Sequence, residues 1–287
     1  MTFRTRFAPS PTGPLHLGHA YSALLAYDMA VKQGDAFLLR IEDIDQSRAR
    51  PQWTQQIYDD LAWLGLEWET PVMVQSTRQA EYESALDQLW ARGLLYPCHC
   101  NRKDILAAAN APQEGAPLLG PDGIVYPGTC RAKPRNPIKP RPSDMALRLD
   151  MRQCPPLDCG FIENGTGPNH ESGQMEYALT DMIENVGDIV LSRKDMGTSY
   201  HLSVVLDDAA QGVTHVVRGY DLFDATKIHV LLQRLLGLPT PIYHHHDLIR
   251  DDQGKRLAKR DDARAIAKYR EDGYTPSDIR KLVGLAL

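Results

Sequence analysis

The stretch Phe7-Ala-Pro-Ser-Pro-Thr-Gly-Pro-Leu-His-Leu-Gly-His19, followed at once by a helical run, constrains this chain more than any other. Phe3 to Ala8 predicts a first strand. Gly13 and Gly18 let backbone approach a ligand, and a helix expected from about Ala20 to Lys32 points its N-terminus at the same place. A helix N-terminus carries unpaired N–H donors and partial positive charge, so it favours bound phosphate. The arrangement predicts a nucleotide at the first crossover of an open parallel sheet. Taken alone, the motif also allows a capped turn with two solvated histidines.

A second stretch near the other end, Asp251-Asp-Gln-Gly-Lys-Arg-Leu-Ala-Lys-Arg-Asp-Asp262, offers a glycine hinge at Gly254 and cations at Lys255, Arg256, Lys259 and Arg260. Alone it reads as a solvated surface turn. Paired with the first motif, it resembles the signature of the class I aminoacyl-tRNA synthetases: a HIGH motif at His16-Leu-Gly-His19 and a KMSKS motif at Arg256-Leu-Ala-Lys-Arg260. The resemblance implies ATP held by Pro9, Thr12, Gly13, His16, Gly18, His19, Arg256, Leu257 and Lys259, accompanied by Mg2+. His16, His19 and Lys259 would be the catalytic set, stabilising charge on the phosphates. Arg256 and Ala258 depart from the motif. Arg still neutralises phosphate, whereas Ala removes a hydroxyl.

Four further segments resemble glutamyl-tRNA synthetases: Arg6-Phe-Ala-Pro-Ser10, Leu39-Arg-Ile-Glu-Asp-Ile-Asp45, Tyr200-His-Leu202 and Val217-Arg-Gly-Tyr-Asp221. The implied glutamate contacts are Arg6, Ala8, Ser10, Glu42, Tyr200 and Arg218. Arginines would face the carboxylates and Glu42 the ammonium; a bidentate Arg also rejects neutral glutamine. Arg40 and Asp43 are expected in a surface ion cluster. The implied fold is α/β: a Rossmann-type parallel sheet with an inserted zinc-bearing subdomain and a short C-terminal helical segment.

The chain divides into a first catalytic half at 1–95, an insertion at 96–190, a second catalytic half at 191–250, and the basic loop with short helices at 251–287. Apolar spacing predicts helices over 51–64, 81–91 and 227–236, and a buried strand at 213–217. Thr275-Pro276 reads as a helix start. No apolar run approaches the roughly 20 residues of a membrane helix, and the start has no signal-peptide core, so a cytoplasmic monomer is expected. The net charge of −5 discourages a nucleic-acid partner only in the aggregate. Segment 131–141 carries five basic residues and no acidic one, and its prolines favour an extended, solvent-facing course able to reach a phosphate backbone.

Five cysteines, an odd number, with two in Cys98-His-Cys100, favour a metal over disulfides. Cys130 supplies a third thiolate, and the residues leave the fourth ligand open among candidates that include His99 and His170. The pattern Cys-x-Cys…Tyr-x-x-x-Cys resembles the zinc site of one branch of glutamyl-tRNA synthetase relatives, which implies Cys98, Cys100, Tyr126 and Cys130 around one structural zinc. Cys154 and Cys159 are expected to be buried thiols, and His244-His-His246 structural or near the nucleotide base. Tyr21 and Tyr27 are expected to pack in the core or groove.

Only 27 residues follow Arg260, too few for an anticodon-reading module. With the cysteine pattern, this resembles the glutamyl-Q tRNA(Asp) synthetases, which activate glutamate without tRNA and transfer it to queuosine in the anticodon of tRNA(Asp). Three other readings stand beside it: a short synthetase charging the 3′ end of tRNA(Glu), a non-catalytic RNA-binding paralogue, and a generic nucleotidyltransferase.

Overall fold

In the computed structural model, which describes residues 2–109, 119–133, 135–250 and 264–285, the first strand, β1 (Thr5–Phe7), is buried at every position. A strand of this kind needs cover on both faces, as parallel sheets provide. The helix α1 (Leu17–Lys32) leads to β2 (Phe37–Ile41), which pairs parallel with β1. The next helix, α2 (Pro51–Trp63), leads to β3 (Met73–Val74), parallel with β2. Ala20, Ala23, Ala26 and Ala30 bring α1 close to the sheet, with Leu24, Ile57 and Leu61 filling the space.

The chain continues through α3 (Gln79–Ala91), β4 (Leu95–Cys98) and α4 (Arg102–Ala109) to a small hairpin, β5 (Leu119–Gly120) with β6 (Gly123–Ile124). Then follow β7 (Ala146–Leu149), β8 (Phe161–Glu163), β9 (Gly173–Met175), α5 (Leu179–Asn185) and β10 (Val190–Ser192), of which β8 and β9 already belong to the catalytic layer. That layer holds α6 (Tyr200–Ala210), β11 (His215–Gly219), α7 (Thr226–Leu236) and β12 (Ile242–His246). β11 runs parallel to β12, and β12 to β8, with β9 antiparallel at the edge. β11 joins β1 through the backbone N–H groups of Thr214 and His215, which donate to the Arg4 carbonyl at 3.0 Å. A separate antiparallel sheet, β10-β7-β4, buries Leu95, Leu147, Leu149 and Leu191.

Two boundaries differ from expectation. α1 begins three residues earlier than predicted because His16 itself caps it. β11 begins and ends two residues later than the predicted strand, because Thr214 is spent on Arg4. Of the C-terminal helices α8 (Ile266–Glu271) and α9 (Pro276–Leu282), α9 docks on α1 and α8 starts against the turn before it, while Ile266 joins the same core. Ile266 and Ile279 are fully buried there, and Arg280 forms two hydrogen bonds with Asp28. As predicted, Thr275 caps α9, reciprocated by Asp278, with Pro276 in the first turn.

Candidate active site

The HIGH-like turn is built by its own histidines. His16 Nδ1 accepts from Gly18 N–H, and His19 Nδ1 accepts from His16 N–H, both at 3.1 Å. In each neutral ring the proton therefore sits on Nε2, which makes that nitrogen a donor. The rings lie 3.8 Å apart. A Cβ on Gly18 would meet the His16 ring at 3.1 Å, so the glycine is what lets the ring close over the helix end. Ile266 N–H donates to the Leu15 carbonyl at 2.8 Å and Ala265 bridges His16, so the described residues after 263 return to this turn. Of the other ATP-site expectations, Pro9, Thr12 and Gly13 lie in the turn between β1 and α1, whereas Arg256, Leu257 and Lys259 lie outside the described residues.

The C-terminal ends of β1, β2 and β11 converge on a pocket of about 160 Å³ lined by Arg6, Ala8, Glu42, Tyr200 and Arg218, with Ser22 at its edge. Five of the six residues expected around glutamate thus meet; Ser10 does not line this pocket but stands in the adjoining turn, where its carbonyl accepts from Thr12 N–H. His246 bonds to Ser22 Oγ at 2.8 Å and packs edge-on to Tyr21, so this histidine supports the pocket side of α1.

The wall below the pocket corrects one expectation. Arg40 is 0 % exposed, so it belongs to no surface cluster. It donates to Asp208 Oδ1 at 2.7 Å and to Glu42 Oε1 at 3.0 Å, while Arg6 pairs with both Asp208 oxygens. Burial alone would raise the Asp208 pKa, but Arg6 and Arg40 outweigh it and hold the carboxyl below its usual range. For Glu42 burial wins, and its pKa is raised. Asp43 is half-buried and caps Ser76 through its backbone N–H and hydroxyl.

Arg218 is held differently. Its partners are His245 Nε2 and His229 Nδ1, each at 3.1 Å, Thr226 Oγ1 at 2.8 Å and the Leu222 carbonyl at 3.3 Å. All are neutral, and no ion pair involves Arg218 among the described residues. Counting direct contacts, Arg6 and Arg40 are matched by Asp208 and Glu42, whereas Arg218 touches no carboxylate; the nearest on its side, Glu163, stands behind His245. A buried guanidinium without a carboxylate in contact suits an anion. Asp208, His229 and His245 were not singled out for this site by sequence, although an Asp207-Asp208 pair inside an apolar helix was a visible signal.

Cys98, Cys100 and Cys130 cluster with their sulfurs within 4.8 Å of one another, and neither His99 nor His170 belongs to the group. Tyr126 Oη lies 3.5 Å from Cys98 Sγ and 3.4 Å from Cys100 Sγ, and Cys100 Sγ is 3.6 Å from Cys130 Sγ. Tetrahedral zinc with Zn–S of about 2.3 Å and Zn–O of about 2.0 Å places ligand atoms about 3.5–3.8 Å apart, so this donor set fits. Arg148 stacks 3.9 Å from the Tyr126 ring centroid and donates to Cys98 Sγ. Burial raises the Cys130 thiol, but the His99 backbone N–H and contacts from Tyr126 and Cys100 outweigh it and bring it down to about 6. Cys154 and Cys159 are buried thiols outside the cluster, as expected.

The basic segment departs from expectation. Arg131, Arg135 and Arg141 pair with Asp188, Asp150 and Asp87, so three of its cations tie the loop to the body instead of extending into solvent. Lys133 and Lys139 stay exposed.

Residues 2–118 and 168–286 match the family described as tRNA synthetases class I (E and Q), catalytic domain. The chain is 64 % identical to a glutamyl-Q tRNA(Asp) synthetase of Rhodobacter capsulatus over 285 residues, covering 98 % of this chain and 99 % of that protein. A glutamyl-Q tRNA(Asp) synthetase of Symbiobacterium thermophilum is 40 % identical, covering 96 % and 83 %. Among solved structures, a glutamate tRNA ligase from Elizabethkingia meningosepticum in complex with its amino acid superposes with a TM-score of 0.75 at 26 % identity. This chain is covered to 99 % in that match and spans 61 % of the ligase.

Proposed function

The chain belongs to the class I tRNA synthetase (E and Q) catalytic-domain family, and we propose that it activates L-glutamate with ATP, without tRNA, and transfers the glutamyl group to queuosine in the anticodon of tRNA(Asp). The observation that carries the substrate is the buried guanidinium of Arg218, which lines the pocket with no carboxylate in contact. Glutamate brings two carboxylates and one ammonium, and one of its carboxylates supplies the contact that Arg218 lacks. Glutamine is neutral and would leave a buried guanidinium unpaired, at a cost on the order of 3–5 kcal/mol. The transfer to queuosine is supported by the 64 % identical relative of nearly the same length.

In the first step a substrate α-carboxylate oxygen attacks the α-phosphorus of ATP, and the bond to the β-phosphate oxygen breaks. Glutamyl-adenylate and pyrophosphate result. A nucleophile of the queuosine base then attacks the glutamyl carbonyl carbon, and AMP leaves. Positioning and charge neutralisation carry such chemistry. Arg218 and Arg6 hold carboxylate, and Glu42 Oε2, which has no hydrogen-bond partner among the described residues, takes the ammonium. The Nε2 donors of His16 and His19, with Lys259, stabilise phosphate charge, and Mg2+ enters with ATP.

The cysteine cluster would hold one zinc through Cys98, Cys100, Cys130 and Tyr126. Four protein ligands leave no open position, so the ion is structural. Glutamate-dependent ATP–pyrophosphate exchange without tRNA, followed by labelled glutamate transfer to tRNA(Asp) with and without queuosine, tests the reading. Exchange with queuosine-dependent labelling is expected; labelling of the tRNA(Glu) 3′ end alone would replace it with the short-synthetase reading.

A further inference from the structure

The guanidinium of Arg218 sits at the centre of a hydrogen-bonded chain that ends in the buried carboxylate of Glu163 on one side and in His201 on the other. Arginine only donates, so His245 Nε2 and His229 Nδ1 must both accept. Each ring then carries its proton on the opposite nitrogen. For His245 this is Nδ1, which bonds to Glu163 Oε2 at 2.5 Å. Glu163 Oε1 meanwhile accepts the backbone N–H groups of His245 at 2.9 Å and Gly165 at 2.7 Å. For His229 it is Nε2, which donates to His201 Nδ1 at 3.1 Å. His201 must in turn be protonated at Nε2, 3.4 Å from Asp122 Oδ1. Glu163, His229 and His245 are buried, so water is in no position to substitute for these partners.

We propose that Glu163 is a positioning residue of the glutamate site: it sets the tautomer of His245, so that His245, together with the buried neutral His229, presents an acceptor that aims Arg218 at the substrate carboxylate. The inference rests on reading Arg218 as the carboxylate ligand. A carboxylate placed directly on Arg218 would orient it but cancel the charge the substrate needs. One imidazole interposed transmits the orientation and keeps the charge, as outer partners of a histidine commonly fix its tautomer. Burial keeps the rings neutral: it lowers His229, and it lowers His245 to about 4 despite the opposing pull of Glu163. Tyr200, another pocket residue, rests edge-on against both His201 and His229, so the same chain seats a second wall of the site. Glu163 comes from residues 119–167, the stretch left uncovered by the family match. Asp122, an exposed carboxylate 3.4 Å from His201 Nε2, lies on the β5–β6 turn four residues before Tyr126, so the cysteine-cluster segment approaches the histidines behind the glutamate pocket.

Glu163→Gln tests this with almost no change of shape. Two backbone donors require the amide oxygen at the Oε1 place, so the amide nitrogen faces His245 Nδ1 and can only donate. The ring proton is driven to Nε2, where it opposes the Arg218 Nε–H. The expected result in ATP–pyrophosphate exchange is a KM for glutamate raised about tenfold or more, with the KM for ATP within about twofold. Nitrogen-15 spectra of the histidines should show His245 switched to the Nε2–H tautomer. At position 229, Asn presents an oxygen where Nδ1 accepted, so His229→Asn should retain most glutamate affinity that His229→Leu loses; this pair carries the test if the Glu163 variant fails to fold. A Glu163→Gln enzyme with wild-type KM for glutamate or an unchanged tautomer overturns the inference, as does Asn performing no better than Leu at 229. Loss of exchange in Arg218→Ala beside an unaffected Glu163→Gln overturns this inference alone, whereas an unaffected Arg218→Ala overturns it together with the substrate reading.

Discussion

Arg40 and Arg218 are both buried arginines of one site, yet they are stabilised in opposite ways. Arg40 lies between Asp208 and Glu42, its charge already answered. Arg218 is wedged among two imidazoles, a hydroxyl and a carbonyl, with hydrogen bonds made and no carboxylate in contact. The difference separates two jobs that a buried cation can have. A compensated guanidinium fastens α6 to β1 and β2 and shapes the floor. One without a carboxylate in contact leaves a place that an anionic substrate fills.

The sharpest break of this comparison is Arg218→Ala. Glutamate-dependent exchange should fall at least about a thousandfold in kcat/KM, near 4 kcal/mol, while circular dichroism stays native. Asp208→Asn addresses the other region. It leaves Arg6 and Arg40 buried with one carboxylate fewer, and urea unfolding should show a loss of about 3–5 kcal/mol; a loss under about 1 kcal/mol would mean that these arginines do not depend on Asp208.

The two regions should also titrate apart. His245 and His229 have depressed pKa values in the fold, so unfolded chains bind more protons below the ordinary histidine value of about 6.5. Their contribution is present above that value and is lost as pH falls towards about 4 for His245. The Asp208 contribution, from a depressed carboxyl, survives that window and is lost only as pH drops below about 4. His215, His244 and His246 are lowered as well, so the assignment requires His245→Gln, whose stability–pH slope should be shallower by up to about 1.4 kcal/mol per pH unit. Superimposable slopes for variant and wild type would contradict a buried neutral His245.

Cys98→Ser acts on neither guanidinium. It should lower the zinc content measured by elemental analysis, and local stability with it; an unaltered metal count would show that the ligands lie elsewhere. The smallest effect is expected from Thr275→Ala, which removes the α9 cap at about 1 kcal/mol and leaves exchange kinetics at wild type. A larger loss would indicate that docking of α9 on α1 depends on more than its cap.

How much of this was legible beforehand follows the distance over which each interaction acts. The capping box at Thr275, the glycine beneath His16 and the trio Cys98, Cys100 and Cys130 involve close spacings or a chemically narrow donor type, and sequence pattern exposed them. Arg40 was misread because a charged residue beside Glu42 and Asp43 resembles a solvated cluster until Asp208, 168 residues away, is brought within 2.7 Å. The basic segment was misread for the same reason: Arg131, Arg135 and Arg141 find their carboxylates on other elements.

Residue order alone therefore settled the α/β class, the glycine-bearing histidine turn and which residue types are available for glutamate and metal, since these rest on backbone geometry and short-range hydrogen bonding. Tertiary structure alone decided which of the site's arginines are paired with carboxylates, Arg6 and Arg40, and which is not, Arg218. Charge compensation depends on what lies within about 4 Å in space; for Arg218 that company, His229 and His245, arrives from an adjoining helix and strand, and the Glu163 carboxylate behind His245 from β8, far earlier in the chain.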